Sequence, residues 1–140
     1  RLQIIYTRIE ADPISGIQLK NYSFNVNSEN YFYPASMVKL PTSIFAIEKI
    51  NTLKNWGVTL ESKLSIDSCY SCQSAVTVDK LSNDSTPNLK NYISKALIVS
   101  DNESYNRLFE FVTPRQMQER LTELGYSKAR IIKAMELVEK

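Results

Sequence analysis

The chain has 140 residues, with 17 Lys and Arg against 15 Asp and Glu, three glycines, two cysteines and no histidine. The lack of histidine excludes Ser-His-Asp and Cys-His nucleophile pairs and imidazole metal ligands, so any general base must be Lys, Glu, Asp or Tyr. Three isolated glycines exclude a glycine-rich phosphate loop, and a net charge of +2 from dispersed lysines argues against nucleic-acid binding.

Size and composition predict one globular domain with its own core, since 43% of the residues are apolar and charges of both signs are mixed along the chain. No apolar run approaches the roughly 20 residues that span a bilayer, so we expect no transmembrane segment. The chain begins with Arg rather than Met and has no signal-peptide pattern, from which we expect a mature or trimmed chain.

The first 33 residues are predicted to form strands. Residues 2–9 and 17–24 are rich in β-branched and aromatic side chains, and the segment 12–16, Asp-Pro-Ile-Ser-Gly, has the composition of a turn. This pattern predicts an N-terminal β-hairpin. The aromatic run that follows at 31–33, Tyr-Phe-Tyr, fits either core packing or the wall of a substrate cleft.

Residues 34–140 are predicted to form a helical lobe, because their apolar residues recur at spacings of three and four. The first helix carries an apolar stripe at Leu40, Ile44, Ile47 and Ile50. The predicted helices begin near Ser36, at Thr86-Pro87, after the triplet at 100–102, and at Thr113-Pro114, and Gly125 is predicted to end the last one. Residues 58–85 are polar and weakly patterned, which predicts a long polar connection with at most short helices or strands.

The first chemical motif is Ser36-Met37-Val38-Lys39 at the predicted start of a helix. Residues three apart share a helix face, so the Lys39 amine can reach the Ser36 hydroxyl. Burial and the positive end of the helix dipole would lower the pKa of Lys39 and let it act as a base. Taken alone, the pair also fits a helix-start serine with a solvent-facing lysine.

The second motif is Ser100-Asp101-Asn102, which directly follows an apolar helix. Its hydroxyl and amide could relay a proton and hold a substrate amide. Ser, Asp and Asn are also the usual residues of turns and helix N-caps, so the triplet alone fits a structural role as well.

Together the two motifs, 64 residues apart and in this order, resemble the active-site serine hydrolases of the β-lactamase and penicillin-binding-protein superfamily. The segment 33–41, Tyr-Pro-Ala-Ser-Met-Val-Lys-Leu-Pro, resembles the nucleophile segment of this superfamily. The segment 100–108, Ser-Asp-Asn-Glu-Ser-Tyr-Asn-Arg-Leu, is similar to the class A segment in which the triplet precedes a helix with a second Asn, so class A β-lactamases are the closest group. The resemblance implies an α/β (α+β) fold of β-lactamase/transpeptidase-like type. In this chain it comprises an N-terminal hairpin (1–33) and a helical lobe (34–140), and its sheet is incomplete.

The same resemblance implies a role for each matching residue. Ser36 would be the acylated nucleophile, with its backbone N–H as half of an oxyanion hole, and Lys39 would activate it. Ser100 would carry the proton to the leaving nitrogen. Asn102 would bind the amide of the substrate and help to position Lys39.

Two expected parts of the family pattern do not match. The chain contains no Lys-Thr-Gly or Lys-Ser-Gly triplet, which in the family lies on a strand that supplies the second oxyanion N–H. For the deacylation glutamate, Glu136 lies in roughly the expected place, but its flanks differ and also fit a terminal amphipathic helix. We therefore expect that this chain is the N-terminal part of a longer enzyme, that the C-terminal remainder completes the fold, and that the 140 residues alone are inactive.

Cys69 and Cys72 lie in the polar connection at residues 58–85. For an exported protein a local disulfide is expected. A zinc site is not expected, because the chain has no histidine and no second cysteine pair to complete four ligands. A redox role is not expected either, because it needs the pair at a helix start after a strand, and this context is missing.

The resemblance predicts hydrolysis of β-lactam antibiotics or related small-molecule amides through an acyl-serine intermediate. No cofactor, metal or nucleic acid is expected, and the implied location is periplasmic or secreted. A D-alanyl-D-alanine peptidase and a non-catalytic binding or sensor domain of the same fold remain the alternatives.

Overall fold

The structure, a computed structural model, describes residues 2–65, 76, 78–79, 82 and 85–136. It divides into two compact units, Arg1–Tyr33 and Pro34–Lys140. Cys69 and Cys72 lie outside the described residues. None of the described helices is both long enough and apolar enough to cross a membrane.

The first unit is the predicted hairpin, of strands β1 (Ile4–Asp12) and β2 (Gly16–Phe24). The strands pair antiparallel from Ile4 opposite Phe24 to Asp12 opposite Gly16. The Asp12 carboxylate accepts hydrogen bonds from the backbone N–H groups of Ile14 and Ser15, at 2.8 and 2.7 Å, which closes the turn. Because pairing continues up to Gly16, β1 runs three residues beyond its predicted end.

Apolar side chains occupy both faces of this hairpin. Tyr6 and Tyr22 face each other on one side, with ring centroids 6.0 Å apart. Ile9 and Leu19 are paired on the other side, and both are exposed. A two-stranded sheet cannot cover either of its own faces, so this unit is the partial sheet that the sequence predicts.

The second unit contains the helices α1 (Lys39–Thr52), α2 (Leu89–Ile98), α3 (Asn102–Val112) and α4 (Pro114–Glu123), all of them within the described part of the chain. Short 3-10 helices at Ala35–Val38 and Lys54–Trp56 flank α1. The mixed α/β architecture predicted from the sequence is therefore confirmed.

Local side-chain hydrogen bonds cap the starts of α2, α3 and α4. Asp101 accepts from the backbone N–H of Ser104 and caps α3, and Thr113 caps α4 with a proline at its first position, as predicted. The prediction that α2 begins at Thr86-Pro87 is wrong, because Asn88 accepts from the N–H of Asn91 and is the cap. The α-helical hydrogen bonding of α1 begins at Lys39, so Ser36 lies in the 3-10 helix before it.

The core of this unit is formed by one face of each helix. Its buried apolar residues are Phe45, Ala46 and Ile50 of α1, Leu89, Tyr92 and Ala96 of α2, Tyr105, Leu108, Phe109 and Val112 of α3, Met117 and Leu121 of α4, and Ile131. Arg120 of α4 also contacts both carboxylate oxygens of Glu48 on α1, at 2.9 and 3.0 Å, which aligns the two helices.

The predicted apolar stripe of α1 is only partly in this core. Ile50 is buried, but Leu40, Ile44 and Ile47 are 56%, 46% and 36% exposed. These three residues lie on one face of α1 at spacings of four and three. Helix α1 is therefore apolar on two sides, and the packing among the described residues covers one of them.

Ser43 in the middle of α1 is 1% exposed, and its hydroxyl has no hydrogen-bond partner among the described residues. A buried hydroxyl without a partner costs about 1–3 kcal/mol. We expect Ser43→Ala to raise the free energy of unfolding by about 1 kcal/mol, measured by urea denaturation. Thr42→Val is the matched control, because the equally buried Thr42 hydroxyl donates to the Val38 carbonyl at 2.8 Å and its loss should lower stability. A loss of stability in Ser43→Ala would contradict the interpretation that the buried Ser43 hydroxyl is destabilising.

Candidate active site

The structure brings Ser36 and Lys39 together at the start of α1. Lys39 is 2% exposed, whereas Ser36 is exposed in the preceding 3-10 helix. The Lys39 Nζ lies 3.3 Å from the Ser36 Oγ. Ala35, directly before the serine, has φ +47°, a left-handed conformation that costs a non-glycine residue about 1–2 kcal/mol. The backbone thus changes direction sharply just before the serine, whose hydroxyl faces both the lysine and solvent.

Ser100 and Asn102 reach the same lysine from the junction of α2 and α3. Lys39 Nζ donates to Ser100 Oγ at 2.9 Å and to Asn102 Oδ1 at 2.7 Å, and it also contacts the Ser100 carbonyl oxygen. Ser100 has φ +56°, so the chain turns at this residue between the two helices. The four residues singled out from the sequence therefore meet around one nitrogen atom.

The protonation of Lys39 depends on burial and on one neighbouring charge. Burial lowers the pKa of the Lys39 ammonium, and the negative charge of Asp101 opposes that shift. For Asp101 itself burial opposes ionisation, but hydrogen bonds from Ser104 and the charges of Lys95 and Lys39 outweigh it, so its pKa is lowered. Asp101 is thus an anion whose field acts on the lysine, a role that the sequence analysis did not assign.

The coordination of Lys39 defines what the site can do chemically. A protonated lysine has three hydrogens to donate, and four oxygen atoms surround this one. A neutral Lys39 keeps a lone pair that can accept the proton of the Ser36 hydroxyl, while its remaining hydrogens hold Ser100 and Asn102. The arrangement can move a proton between two serine hydroxyls through one amine.

The segment Lys133–Glu136 is held against α3 by three side chains. Asn102 Nδ2 donates to the Glu136 carbonyl oxygen at 2.9 Å, and Tyr105 OH donates to the Lys133 carbonyl oxygen at 3.1 Å. Asn106 donates to the carbonyl of Met135 and accepts from its N–H, at 2.9 and 2.8 Å. We call these four residues the strap. They contain no helix, so the alternative of a terminal helix at Glu136 is wrong.

Glu136 approaches the site through its backbone alone. Its carbonyl accepts from Asn102, but its side chain is 92% exposed and lies 3.8 Å from Lys133 Nζ. From the sequence, Tyr105 and Asn106 were only predicted to lie in a helix. Their spacing of three and four from Asn102 could have indicated that all three side chains share one helix face. What they bind could not be inferred, because the strap lies about 30 residues further along the chain.

No cluster of three or more acidic or cysteine side chains that could hold a metal ion occurs among the residues that the structure describes.

Comparison with known protein families gives a match over most of the chain. Residues 16–140 match the sequence profile of the beta-lactamase enzyme family, and the matched range includes both β2 and all four helices. No curated protein matches the sequence.

Replacing Asp101 with Asn tests the electrostatics of the site. Asn is as good an N-cap as Asp, so α3 should keep its start while Lys39 loses its anionic neighbour. We expect the pKa of Lys39 to fall further below the ordinary 10.5, since the counter-charge that favours the ammonium is gone. An NMR titration of lysine labelled at Cε measures the shift. Asp12→Asn in the hairpin turn is the control. An unchanged or raised Lys39 pKa in Asp101→Asn would refute the claim that the charge of Asp101 favours the Lys39 ammonium.

Proposed function

Because the chain belongs to the beta-lactamase enzyme family, we propose that it is a serine hydrolase that cleaves β-lactams or related small-molecule amides through an acyl-Ser36 intermediate. One observation carries the proposal: the buried Lys39 amine lies within reach of the hydroxyls of both Ser36 and Ser100. A proton can therefore leave one serine and reach the other through a single nitrogen. This chemistry needs no imidazole, which fits a chain without histidine.

The proposed acylation uses these contacts. Neutral Lys39 takes the proton of Ser36 as the Oγ attacks the carbonyl carbon of the substrate and the C–Oγ bond forms. The resulting ammonium lies 2.9 Å from the Ser100 hydroxyl, which passes a proton to the leaving nitrogen as the C–N bond breaks. Ser100 then regains its proton from Lys39, and the amine is neutral again.

Asn102 is proposed to hold both Lys39 and the substrate. Its oxygen accepts from Lys39, so its amide nitrogen faces away from the lysine. That nitrogen has two hydrogens, of which one is donated to the Glu136 carbonyl. The second is available to a carbonyl group of the substrate. We also assign one oxyanion donor to the backbone N–H of Ser36.

We propose that a C-terminal remainder completes the sheet and the site. The exposed apolar face of α1 at Leu40, Ile44 and Ile47 supports this, as do the two uncovered faces of the hairpin. A strand of that remainder would supply the second oxyanion N–H. A periplasmic or secreted location accompanies the proposal, since β-lactams and cell-wall amides are encountered outside the cytoplasm.

Two variants, one at Ser36 and one at Lys39, test the proposed chemistry in the full-length protein. Ser36→Ala should abolish labelling by a fluorescent penicillin, because the acyl acceptor is gone. Lys39→Met should slow labelling by about 10²–10⁴-fold, the usual contribution of a general base. Lys49→Met is the matched control, since Lys49 is a partly buried lysine of α1 whose pKa is also lowered by burial, and it lies outside the site. Undiminished ligand binding without any covalent adduct on Ser36 would favour a binding or sensor domain instead.

The need for the remainder is tested by comparing residues 1–140 with the full-length protein. We expect the shorter chain to form no Ser36 adduct with a chromogenic cephalosporin or a labelled penicillin, while the full-length protein does. Intact-mass spectrometry gives the stoichiometry. Stoichiometric acylation of the shorter chain would show that no further segment is needed.

A further inference from the structure

We propose that a buried ion pair beside the site, between Asp79 and Lys95, is a positioning pair that controls how readily Lys39 accepts a proton. The inference deepens the proposed function and rests on it, because it concerns the base that activates Ser36. Its basis is a series of four charges of alternating sign, which leads from the polar connection to the catalytic amine. In order, the four charged residues are Asp79, Lys95, Asp101 and Lys39.

The ammonium of Lys95, in the last turn of α2, is bound by a carboxylate from the polar connection at residues 58–85. Lys95 Nζ lies 2.7 Å from Asp79 Oδ1, and the two side chains are 21% and 4% exposed. The backbone N–H of Asp79 also donates to the Ser85 carbonyl oxygen at 2.8 Å, which fixes the segment that carries the carboxylate. Water screens exposed ion pairs strongly, but it screens a buried pair much less, so the field of this pair reaches neighbouring groups.

The backbone of Lys95 is bonded to the residues on both sides of Ser100. Its carbonyl oxygen accepts hydrogen bonds from the N–H groups of Val99 and Asp101, each at 3.2 Å. Ser100 therefore lies in a turn whose two flanking N–H groups bind one oxygen atom. The residue that carries the ammonium also anchors this turn, so its charge has a fixed place beside the triplet at 100–102.

The side chains of Lys95 and Asp101 face the same cavity of about 310 Å³. Burial opposes the ionisation of Asp101, but hydrogen bonds from Ser104 and the charge of Lys95 lower its pKa. Asp101 in turn opposes the fall in the pKa of Lys39 that burial causes. The positive charge of Lys95 offsets part of the negative charge of Asp101, and so keeps more of Lys39 neutral. Asp79 limits this effect, because it neutralises Lys95.

The other titratable groups that face Lys95 do not reverse the sign of this effect. The Tyr92 ring lies 5.5 Å from Lys95 Nζ, and burial and the charge of Asp79 raise the pKa of its hydroxyl, which is neutral at neutral pH. Glu103 of α3 lines the same cavity, but its side chain is exposed and lies 3.8 Å from Arg107. Water screens such a pair. Asp79 and Lys95 are therefore the charges whose removal should alter the field at the triplet.

Lys39 itself faces a charged group at the junction of α2 and α3, the carboxylate of Asp101. The strap approaches Lys39 through the carbonyl oxygen of Glu136, which binds the side chain of Asn102. The Glu136 carboxylate is 92% exposed and lies 3.8 Å from Lys133, so water screens its charge. Among the described residues, the protonation of Lys39 thus depends on its burial and on the field of Asp101.

Removing one or the other charge of the pair should move the pKa of Lys39 in opposite directions. Lys95→Met removes a positive charge, which favours the Lys39 ammonium, raises its pKa and leaves less neutral amine at a given pH. Asp79→Asn leaves the charge of Lys95 uncompensated, which disfavours the Lys39 ammonium and lowers its pKa. A pair that only stabilised the fold would impair both variants alike.

The pH dependence of acylation measures this difference in the full-length protein. Single-turnover acylation of Ser36 by a chromogenic cephalosporin is followed by stopped flow over a range of pH. Below the pKa of Lys39, we expect acylation to be roughly threefold slower in Lys95→Met and roughly threefold faster in Asp79→Asn, with similar rates on the high-pH plateau. Lys95→Arg keeps the charge and should restore the profile. Lys90→Met is the matched control, since Lys90 is another lysine of α2, in an exposed pair with Glu61 at 3.0 Å.

An NMR titration of Lys39, with lysine labelled at Cε, gives a readout that needs no reaction. Opposite shifts of the Lys39 pKa without any acylation would support the inference and overturn the proposed function. Shifts in the same direction, or one Lys39 pKa in all variants, would overturn the inference whether or not Ser36 is acylated. If Lys95→Met does not fold, Asp79→Asn and Lys95→Arg suffice, because a lowered and an unchanged Lys39 pKa are expected, respectively.

Discussion

The burial of one amine organises the site. Lys39 is 2% exposed, and a buried ammonium is tolerated only where oxygen atoms replace its water. The hydroxyl of Ser36 is one such atom, and the others come from Ser100 and Asn102, more than 60 residues further along the chain. The junction of α2 and α3 must therefore lie against the start of α1. At this junction Ser100 has a positive φ, and both its carbonyl oxygen and its hydroxyl contact the Lys39 amine.

Helix α3 connects this site to the chain that follows it. Its first residue, Asn102, binds Lys39 through its oxygen and the strap through its nitrogen, which fixes the orientation of the amide without ambiguity. Tyr105 and Asn106 extend the contact with the strap along the same face. Helix α3 therefore contacts both Lys39, which precedes it in the sequence, and the strap, which follows it.

Much of the fold follows from local chemistry and was predictable. The turn at Asp12 and the cap at Thr113 depend on side chains that bond to backbone two or three residues away. Where two local signals compete, prediction failed: Thr86-Pro87 resembles a helix start, but Asn88 is placed to accept from Asn91. The stripe of α1 was found, yet periodicity cannot tell which of two apolar faces the rest of the described chain covers.

The sequence by itself singled out the four residues that meet at the Lys39 amine, and it determined the pairing of Ser36 with Lys39, because residues three apart meet on one face of a helical turn. It also excluded imidazole chemistry. Only the tertiary structure decided that Ser100 and Asn102 close around the same amine, that burial lowers the pKa of Lys39, and that Glu136 presents its carbonyl rather than its carboxylate. The physical reason is that the proton affinity of a group and the direction of a side chain depend on neighbours brought in from distant parts of the chain, which spacing along the chain does not encode.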